Sequence, residues 1–199
     1  MNYLAHLLLS GSDPQVQVGG LLGDFLKGPV PASLPARVAQ GVILHREIDR
    51  FTDSHPLFLR SRARISPERQ RLGGILVDVF YDHFLALDWD AYSPEPLDHF
   101  ASAAYAVLAA HQHCLPDNLV QALPTMRSQN WLLSYRDPTG IGTTIDRIAA
   151  RRAPRLGRLV GGVEEMLADY QGFRDDFHAF FPAVQALAEA HLEKQGVSH

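Results

Sequence analysis

The stretch LHREIDRFTDSHP, Leu44–Pro56, places histidines, arginines and acids at close spacing within an otherwise apolar helical pattern. On an α-helix, His45, Asp49 and Asp53 follow one another at intervals of four residues and project from one face. A solvated helix surface more often alternates Glu and Lys, whereas a column of His and Asp suits a cation or a proton. Asp53 and His55 stand near the expected helix end, where we predict helix-end and capping roles. The stretch therefore predicts a polar site centred on His45 and Asp49.

Helical periodicity extends outward from this stretch over nearly the whole chain of 199 residues. No alternating strand pattern with hairpin turn signals stands out. The chain is long enough to bury a sizeable core, and it contains no clear linker or internal repeat. The sequence therefore predicts an all-α fold, a single-domain helical bundle over residues 1–199.

Start and stop signals divide this pattern into helices. We predict a short helix over residues 2–10, a helix from about residue 35 to 52 that carries the polar site, and a short basic helix over 56–65. Ser66-Pro67-Glu68 is typical of a helix start with proline at the first position. A long helix is predicted to run from there through LGGILVDVFYDHFLALDW at 72–89.

Two glycine-containing segments lead to further predictions. Gly73-Gly74 would lie inside the long helix, where glycine costs stability, so we expect close packing against another element. The segment TGIGTT at 139–144 matches no full phosphate-loop pattern, and we interpret it as a turn.

Composition and charge argue against several classes of protein. A hydrophobic content of 46% and a charged content of 20% are ordinary for a globular protein, and a net charge of −4 does not indicate a nucleic-acid binder. Cys114 is the only cysteine, which excludes an intramolecular disulfide and a thiolate zinc cluster and favours a reducing cytoplasm. No segment reaches about 18 uncharged apolar residues, so we expect no membrane span.

A second polar pair, Asp78 and Asp82, lies in the long helix amid apolar neighbours. Two ionised carboxylates buried there would each carry a large desolvation cost and would repel each other at this spacing. A divalent cation held between two facing helices would remove both costs. We therefore predict a metal site, its ligands being His45, Asp49, Asp78 and Asp82. Mn²⁺, Fe²⁺, Zn²⁺ and Mg²⁺ suit such ligands, and an interhelical His–Asp hydrogen-bond network is the alternative.

Three further polar residues lie in apolar surroundings and can add to this site: His6, His83 and Asp24, the last within GDFLKG at 23–28. A lone buried histidine is more often a satisfied core residue, and this alternative applies above all to His6. Asp24 has the alternative of capping the turn after Gly23.

A cluster of arginines follows the polar stretch, and the same segment, residues 60–71, contains only one acid, Glu68. The arginine cluster consists of Arg60, Arg62, Arg64, Arg69 and Arg71. In an acidic chain this concentration of positive charge predicts docking of an acidic partner, with an ordinary solvated face as the alternative. Interleaved aromatic residues are absent from the cluster, which disfavours single-stranded nucleic acid.

Four motifs in this order and spacing resemble the acyl carrier protein phosphodiesterases. They are MNYLAHLLLS at 1–10, GDFLKG at 23–28, LHREIDRFTDSHP at 44–56 and GGILVDVFYDHFLALDW at 73–89. The remainder of the chain is similar mainly in length and helical character. The resemblance implies a helical fold related to the HD-domain phosphohydrolases, although Asp82-His83 reverses the order of the HD signature.

The resemblance also implies hydrolysis of the phosphodiester that joins 4′-phosphopantetheine to a serine of holo-acyl carrier protein, with a divalent metal, Mn²⁺ foremost, as cofactor. Its polar motif positions in this sequence are Asn2, His6, Asp24, His45, Asp49, Asp78, Asp82 and His83. Carrier proteins are acidic, which would give the arginine cluster its partner. Asp24 would complete the metal shell or orient the attacking water, and His6 or His83 would protonate the departing serine oxygen.

The predicted substrate-binding residues are Asn2, Lys27, Arg46 and Arg50, with the basic side chains holding the non-reacting phosphate oxygens. Two other functions remain open at this point. One is an HD-like metal-dependent phosphohydrolase acting on a nucleotide or another small phosphate ester. The other is a non-catalytic module that binds an acidic protein through the arginine cluster.

Overall fold

The structure is a computed structural model that describes residues 1–151 and 156–196. Of the described residues, 76% are helical, and they form eleven α-helices without a β-strand. The predicted all-α fold is therefore confirmed. Its relation to the HD-domain fold stays a prediction.

Loops and, in the described part of the chain, four 3₁₀ turns join the helices. The α-helices are α1 (Tyr3–Leu9), α2 (Pro14–Leu22), α3 (Ala36–Ser54), α4 (Pro56–Arg64), α5 (Gly73–Leu87), α6 (Leu97–Ala110), α7 (Asp117–Ser128), α8 (Trp131–Ser134), α9 (Pro138–Arg151), α10 (Val163–Ala168) and α11 (Tyr170–Lys194). The 3₁₀ turns are Gln70–Leu72, Trp89–Ala91, Gln112–Cys114 and Gly157–Leu159. Among the described residues, no helix combines the length and the apolar character needed to cross a membrane.

The polar stretch ends α3 and begins α4, as predicted. Nδ1 of His55 accepts a hydrogen bond from the backbone N–H of Leu57 at 3.3 Å and caps α4. Pro56 occupies the first position of that helix, where its missing N–H leaves no bond unmade. Asp53 lies exposed in the last turn of α3.

The long helix begins later than predicted, at Gly73 after a 3₁₀ turn. Ser66 does not start it, because its backbone N–H and hydroxyl both donate to the Glu165 carboxylate, at 2.9 and 2.6 Å. The expected close packing at Gly73 is also wrong. A methyl group there would lie 3.4 Å from Cγ1 of Ile65, an ordinary van der Waals distance.

The TGIGTT segment lies inside α9, so its interpretation as a turn is wrong. Pro138 opens the helix, and the Asp137 carboxylate accepts a hydrogen bond from the backbone N–H of Thr139 at 2.7 Å. A methyl group on Gly140 would lie 2.0 Å from the carbonyl oxygen of Ser134. Glycine is therefore required here by a close backbone approach and not by a turn.

Glycines bring α2 and α3 into direct backbone contact. A methyl group on Gly19 would lie 2.1 Å from the carbonyl oxygen of Val38 and 2.8 Å from Cα of Gly41. Gly41 faces the carbonyl oxygen of Val16 in the same way, also at 2.1 Å. Because a side chain at either glycine would push the two helices apart, this crossing fixes where the polar face of α3 lies.

An aromatic core joins α5 to α11. The rings of Tyr81 and Phe177 meet edge to face with their centroids 5.5 Å apart, and Phe80 meets Phe173 in the same way at 5.2 Å. These rings are completely buried. They belong to a hydrophobic core whose members extend in sequence from Met1 to Leu192 and include buried residues of α1 and α3.

Candidate metal centre and adjacent cavity

Two stacked imidazoles converge on one carboxylate. The rings of His6 on α1 and His45 on α3 lie 3.8 Å apart between centroids, with 25° between their planes. Nε2 of His6 lies 3.1 Å from Oδ1 of Asp49, and Nε2 of His45 lies 3.0 Å from Oδ2 of Asp49. Donor atoms of the three residues all lie within 4.8 Å of one another. We call this group the His–Asp cluster.

The last turn of α2 and the glycine after it fix the orientation of the His45 ring. Nδ1 of His45 donates a hydrogen bond to the carbonyl oxygen of Gly20 at 2.7 Å, which leaves the Nε2 lone pair of the neutral ring directed into the cluster. A methyl group on Gly23 would lie 2.2 Å from Cγ of His45, so the ring occupies the space that a side chain would need. Gly23, the first glycine of the GDFLKG motif, thus makes room for the His45 ring.

His6 is buried, with an exposed fraction of 1%. Within the described residues, neither of its ring nitrogens has a hydrogen-bond partner of acceptable geometry, since the short approach of Nε2 to Asp49 is poorly aligned. Burial and the neighbouring His45 lower the pKa of His6 to about 3. His6 is therefore a neutral imidazole with unpartnered nitrogens, a state that suits a metal ligand better than a proton donor.

Asp49 and His45 perturb each other strongly. Burial alone would raise the pKa of Asp49, but the adjacent imidazoles, His45 first and His6 second, hold it well below its usual range. Burial alone would lower the pKa of His45, but its hydrogen bond and attraction to Asp49 raise it overall. A proton and a metal ion would compete for Nε2 of His45. Metal affinity at this site should therefore weaken as the pH is lowered.

Asp24 lies at the edge of the cluster, with Oδ1 at 4.0 Å from Nε2 of His45. Its side chain remains 36% accessible to solvent on a cavity wall. Desolvation by the surrounding protein raises the pKa of Asp24 to about 6, although the attraction of His45 acts in the opposite direction. This placement is compatible with the predicted role of completing a metal shell or orienting a water.

Asp82 binds the backbone of α1. Among the described residues it does not belong to the group whose ligand atoms lie within metal-binding distance of one another. Its carboxylate is completely buried and accepts hydrogen bonds from the N–H groups of Leu4, at 2.7 Å, and Ala5, at 3.2 Å. Burial raises the pKa of Asp82 to about 7, although these donors favour the ionised form. Its assignment as a metal ligand stays a prediction that the geometry does not support.

Asp78 is engaged in the same region. Its Oδ1 accepts a hydrogen bond from the amino terminus of Met1 at 2.5 Å, and burial raises its pKa against that attraction. Asp78 also stands outside the group of donors that the described residues bring within metal-binding distance of one another. The structure therefore places His6 beside the predicted pair His45 and Asp49. Neither aspartate of α5 joins them.

His83 is buried and has both ring nitrogens engaged. Nδ1 donates to the carbonyl oxygen of Tyr135 at 2.7 Å, which leaves Nε2 to accept from the hydroxyl of Tyr170 at 2.7 Å. Burial lowers its pKa despite the nearby carbonyl. No nitrogen is left to protonate a leaving group, so the predicted catalytic role of His83 has no geometric support.

A cavity of about 620 Å³ adjoins the cluster. Its lining includes the polar residues Asn2, Asp24, Lys27, Asp78 and Asn118, together with Met1, Tyr3, Phe25, Ile75, Val79, Ile148 and Leu156. Two of the four predicted substrate-binding residues, Asn2 and Lys27, thus line it. Arg46 instead donates to the carbonyl oxygen of Leu26 at 3.2 Å, and Arg50 is exposed on α3.

Part of the arginine cluster is engaged within the chain. Nε of Arg60 and Nε of Arg64 donate to the buried carboxylate of Asp176, at 2.6 and 3.1 Å. Arg69 donates to Oε1 of Glu165 at 3.0 Å. The local sequence could not show these bonds, because both acids lie about a hundred residues further along the chain. Partner binding by the whole cluster stays a prediction, in which Arg62, half-buried, and Arg71, exposed, are the remaining members.

The described residues thus form an all-α fold with a His–Asp cluster at the edge of a cavity. The sequence matches the family described as acyl carrier protein phosphodiesterase over residues 1–184, and the chain belongs to this family. A relative of that name from Photorhabdus laumondii is 33% identical over 190 residues, 95% of this chain and 96% of that protein. Another, from Salmonella agona, is 34% identical over 189 residues, 94% of this chain and 97% of that protein. No solved structure matches the chain.

Proposed function

We propose that this protein hydrolyses the phosphodiester between 4′-phosphopantetheine and a serine of holo-acyl carrier protein, releasing apo-carrier protein and 4′-phosphopantetheine. Membership of the family and the names of its relatives support a phosphodiesterase that acts on acyl carrier protein. The observation that carries the proposal is the convergence of His6 and His45 on Asp49 beside the cavity.

The His–Asp cluster fits a divalent cation. Two imidazole nitrogens and a carboxylate form a donor set for Mn²⁺, Fe²⁺ or Zn²⁺, and the unpartnered nitrogens of His6 would be satisfied by an ion. We propose Mn²⁺ as the cofactor, with Mg²⁺, Fe²⁺ and Zn²⁺ as the alternatives to be tested. When bound, the ion would polarise a phosphoryl oxygen and lower the pKa of a coordinated water.

Two cavity residues supply functions of their own in this proposal. Asp24, with a pKa of about 6, is mostly ionised near neutral pH and can accept a proton from the attacking water. Lys27 lies exposed at the cavity lining, where its ammonium group can neutralise a phosphate oxygen. His6 is reassigned from proton donor to ligand, because burial and the neighbouring His45 lower its pKa to about 3, so that near neutral pH it lacks the acidic second ring proton of an imidazolium.

The experiment that tests this function follows the mass of the carrier protein. Purified protein is stripped of metal with a chelator and incubated with holo-acyl carrier protein, with and without Mn²⁺. We expect the carrier to lose the mass of 4′-phosphopantetheine only when the metal is present. An unchanged carrier mass with Mn²⁺, Mg²⁺, Fe²⁺ and Zn²⁺ would exclude the proposed reaction, and a parallel nucleotide panel would then identify a small-ester phosphohydrolase.

A further inference from the structure

The cavity lining contains aliphatic residues that the binding of a phosphate group alone would not require. Asp24 connects it to the His–Asp cluster, since Oδ1 of Asp24 lies 4.0 Å from Nε2 of His45. Helices α5 and α9, together with Leu156, also contribute an apolar wall to the cavity. This wall consists of Ile75, Val79, Ile148 and Leu156. Aliphatic side chains give no favourable contact to a phosphate group, so the wall needs another part of the ligand to explain it.

Asn118, in the first turn of α7, also lines the cavity. Its side chain is exposed, and its amide has no hydrogen-bond partner within residues 1–151 and 156–196. A primary amide offers two donor hydrogens and an acceptor oxygen without carrying charge. It therefore suits an uncharged ligand group that itself contains amides.

We propose that the apolar wall and Asn118 bind the pantetheine arm of the substrate, an inference that rests on the proposed function. The arm has two methyl groups on one carbon close to the phosphate and two amides further along. Its methyl groups would contact the apolar wall, and one of its amides would bond to Asn118. A cavity of about 620 Å³ has room for the arm as well as the phosphate.

The arm assignment is tested by comparing two ligands that share the phosphate group and differ in the arm. Calorimetry with Mn²⁺-loaded protein measures Kd for 4′-phosphopantetheine and for inorganic phosphate. We expect the wild type to bind 4′-phosphopantetheine about tenfold more tightly or better. Asn118→Ala and Ile148→Ala should each reduce this preference by about threefold to tenfold while leaving phosphate binding unchanged.

Two matched variants control for general effects. Gln121→Ala changes an exposed amide on α7 that does not line the cavity, and Leu187→Ala shortens a partly buried aliphatic side chain on α11. Neither should alter the preference. Asn118 is exposed, so Asn118→Ala keeps the test valid even where thermal melting shows that Ile148→Ala is poorly folded.

The outcomes separate the arm assignment from the proposed function. Equal affinity for the two ligands in the wild type, or an unchanged preference in Asn118→Ala and a folded Ile148→Ala, overturns the arm assignment. The mass assay on holo-carrier protein decides the function independently. A carrier that stays intact while 4′-phosphopantetheine binds with the expected preference would refute the reaction and retain the arm site.

Discussion

The His–Asp cluster and the carboxylate of Asp176 both place titratable side chains between helices, but they differ in how fully the buried members are paired. Asp176 on α11 is completely buried and accepts hydrogen bonds from Arg60, Arg64 and the hydroxyl of Ser61, the last at 2.9 Å. In the His–Asp cluster, His6 is equally buried, yet neither of its ring nitrogens has an acceptable partner among the described residues.

This difference separates a structural network from a candidate site. A buried carboxylate with donors on both oxygens can hold α4 against α11 without any ligand. Buried nitrogens without partners carry a desolvation cost that the fold does not offset, and a bound cation would offset it. Acids and bases close together in sequence do not reveal which of these two cases applies.

The largest expected effect is the loss of metal and activity when the shared carboxylate of the cluster is removed. Asp49→Ala should reduce turnover of holo-carrier protein by at least about 100-fold and abolish stoichiometric metal binding. Metal content after dialysis and initial rates measure the two effects. The matched control is Asp53→Ala, which removes an exposed acid one helical turn further along α3. A folded Asp49→Ala variant with normal metal content would show that the cluster is not a metal site.

The second prediction concerns the paired network. Asp176→Ala would remove the buried carboxylate that accepts from Arg60, Arg64 and the hydroxyl of Ser61, and should lower the free energy of unfolding by about 2–3 kcal/mol. Urea titration measures this loss, and turnover per folded molecule should stay normal. Asp175→Ala, which removes the exposed acid next to it, should change stability by less than about 0.5 kcal/mol. Equal losses in the two variants would contradict the structural role of the network.

The third prediction uses the raised pKa of Asp82. An unfolded aspartate ionises near pH 4, whereas the buried carboxyl ionises at about 7, so the folded state holds this proton more tightly. The resulting stabilisation is complete at low pH and is lost as pH rises through 7. The free energy of unfolding of the wild type, measured relative to Asp82→Asn, should therefore fall by up to about 2 kcal/mol between pH 5 and pH 7.

Asp24, with a pKa of about 6, contributes a pH dependence of the same sign. It is present in both proteins and so cancels from the difference. Parallel stability curves for the wild type and Asp82→Asn would show that Asp82 is already ionised at low pH, held by the N–H groups of α1.

The smallest expected effect distinguishes the exposed arginines from the paired ones. Arg71→Glu should weaken association with acyl carrier protein by about twofold to fivefold at low salt, with no effect on stability or on hydrolysis of a small diester. Arg127→Glu makes the same charge change at an exposed position on α7 and should have no effect. Surface plasmon resonance at two salt concentrations measures the association rates. An effect of Arg71→Glu that persists at high salt would exclude electrostatic steering.

Much of the fold follows from local sequence. The end of α3 and the start of α4 were predicted correctly because Ser54, His55 and Pro56 act on the nearest backbone groups. The start of α5 was predicted wrongly because Ser66 bonds to Glu165, a partner that local sequence cannot identify. The interpretation of TGIGTT as a turn was wrong for the same reason. Glycine is needed at position 140 because the carbonyl oxygen of Ser134 lies too close for a side chain.

The sequence by itself determined that the chain is helical and that His45 and Asp49 share one helix face, because both follow from spacing along a single helix. Tertiary structure alone decided that His6 joins this pair while Asp82 binds the backbone of α1. The physical reason lies in the contact between Gly19 and Gly41, which brings α2 against α3, and in the position of α1 beside them. Which polar groups then meet, and which nitrogens are left unpartnered, depends on distances between helices and not on their order in the chain.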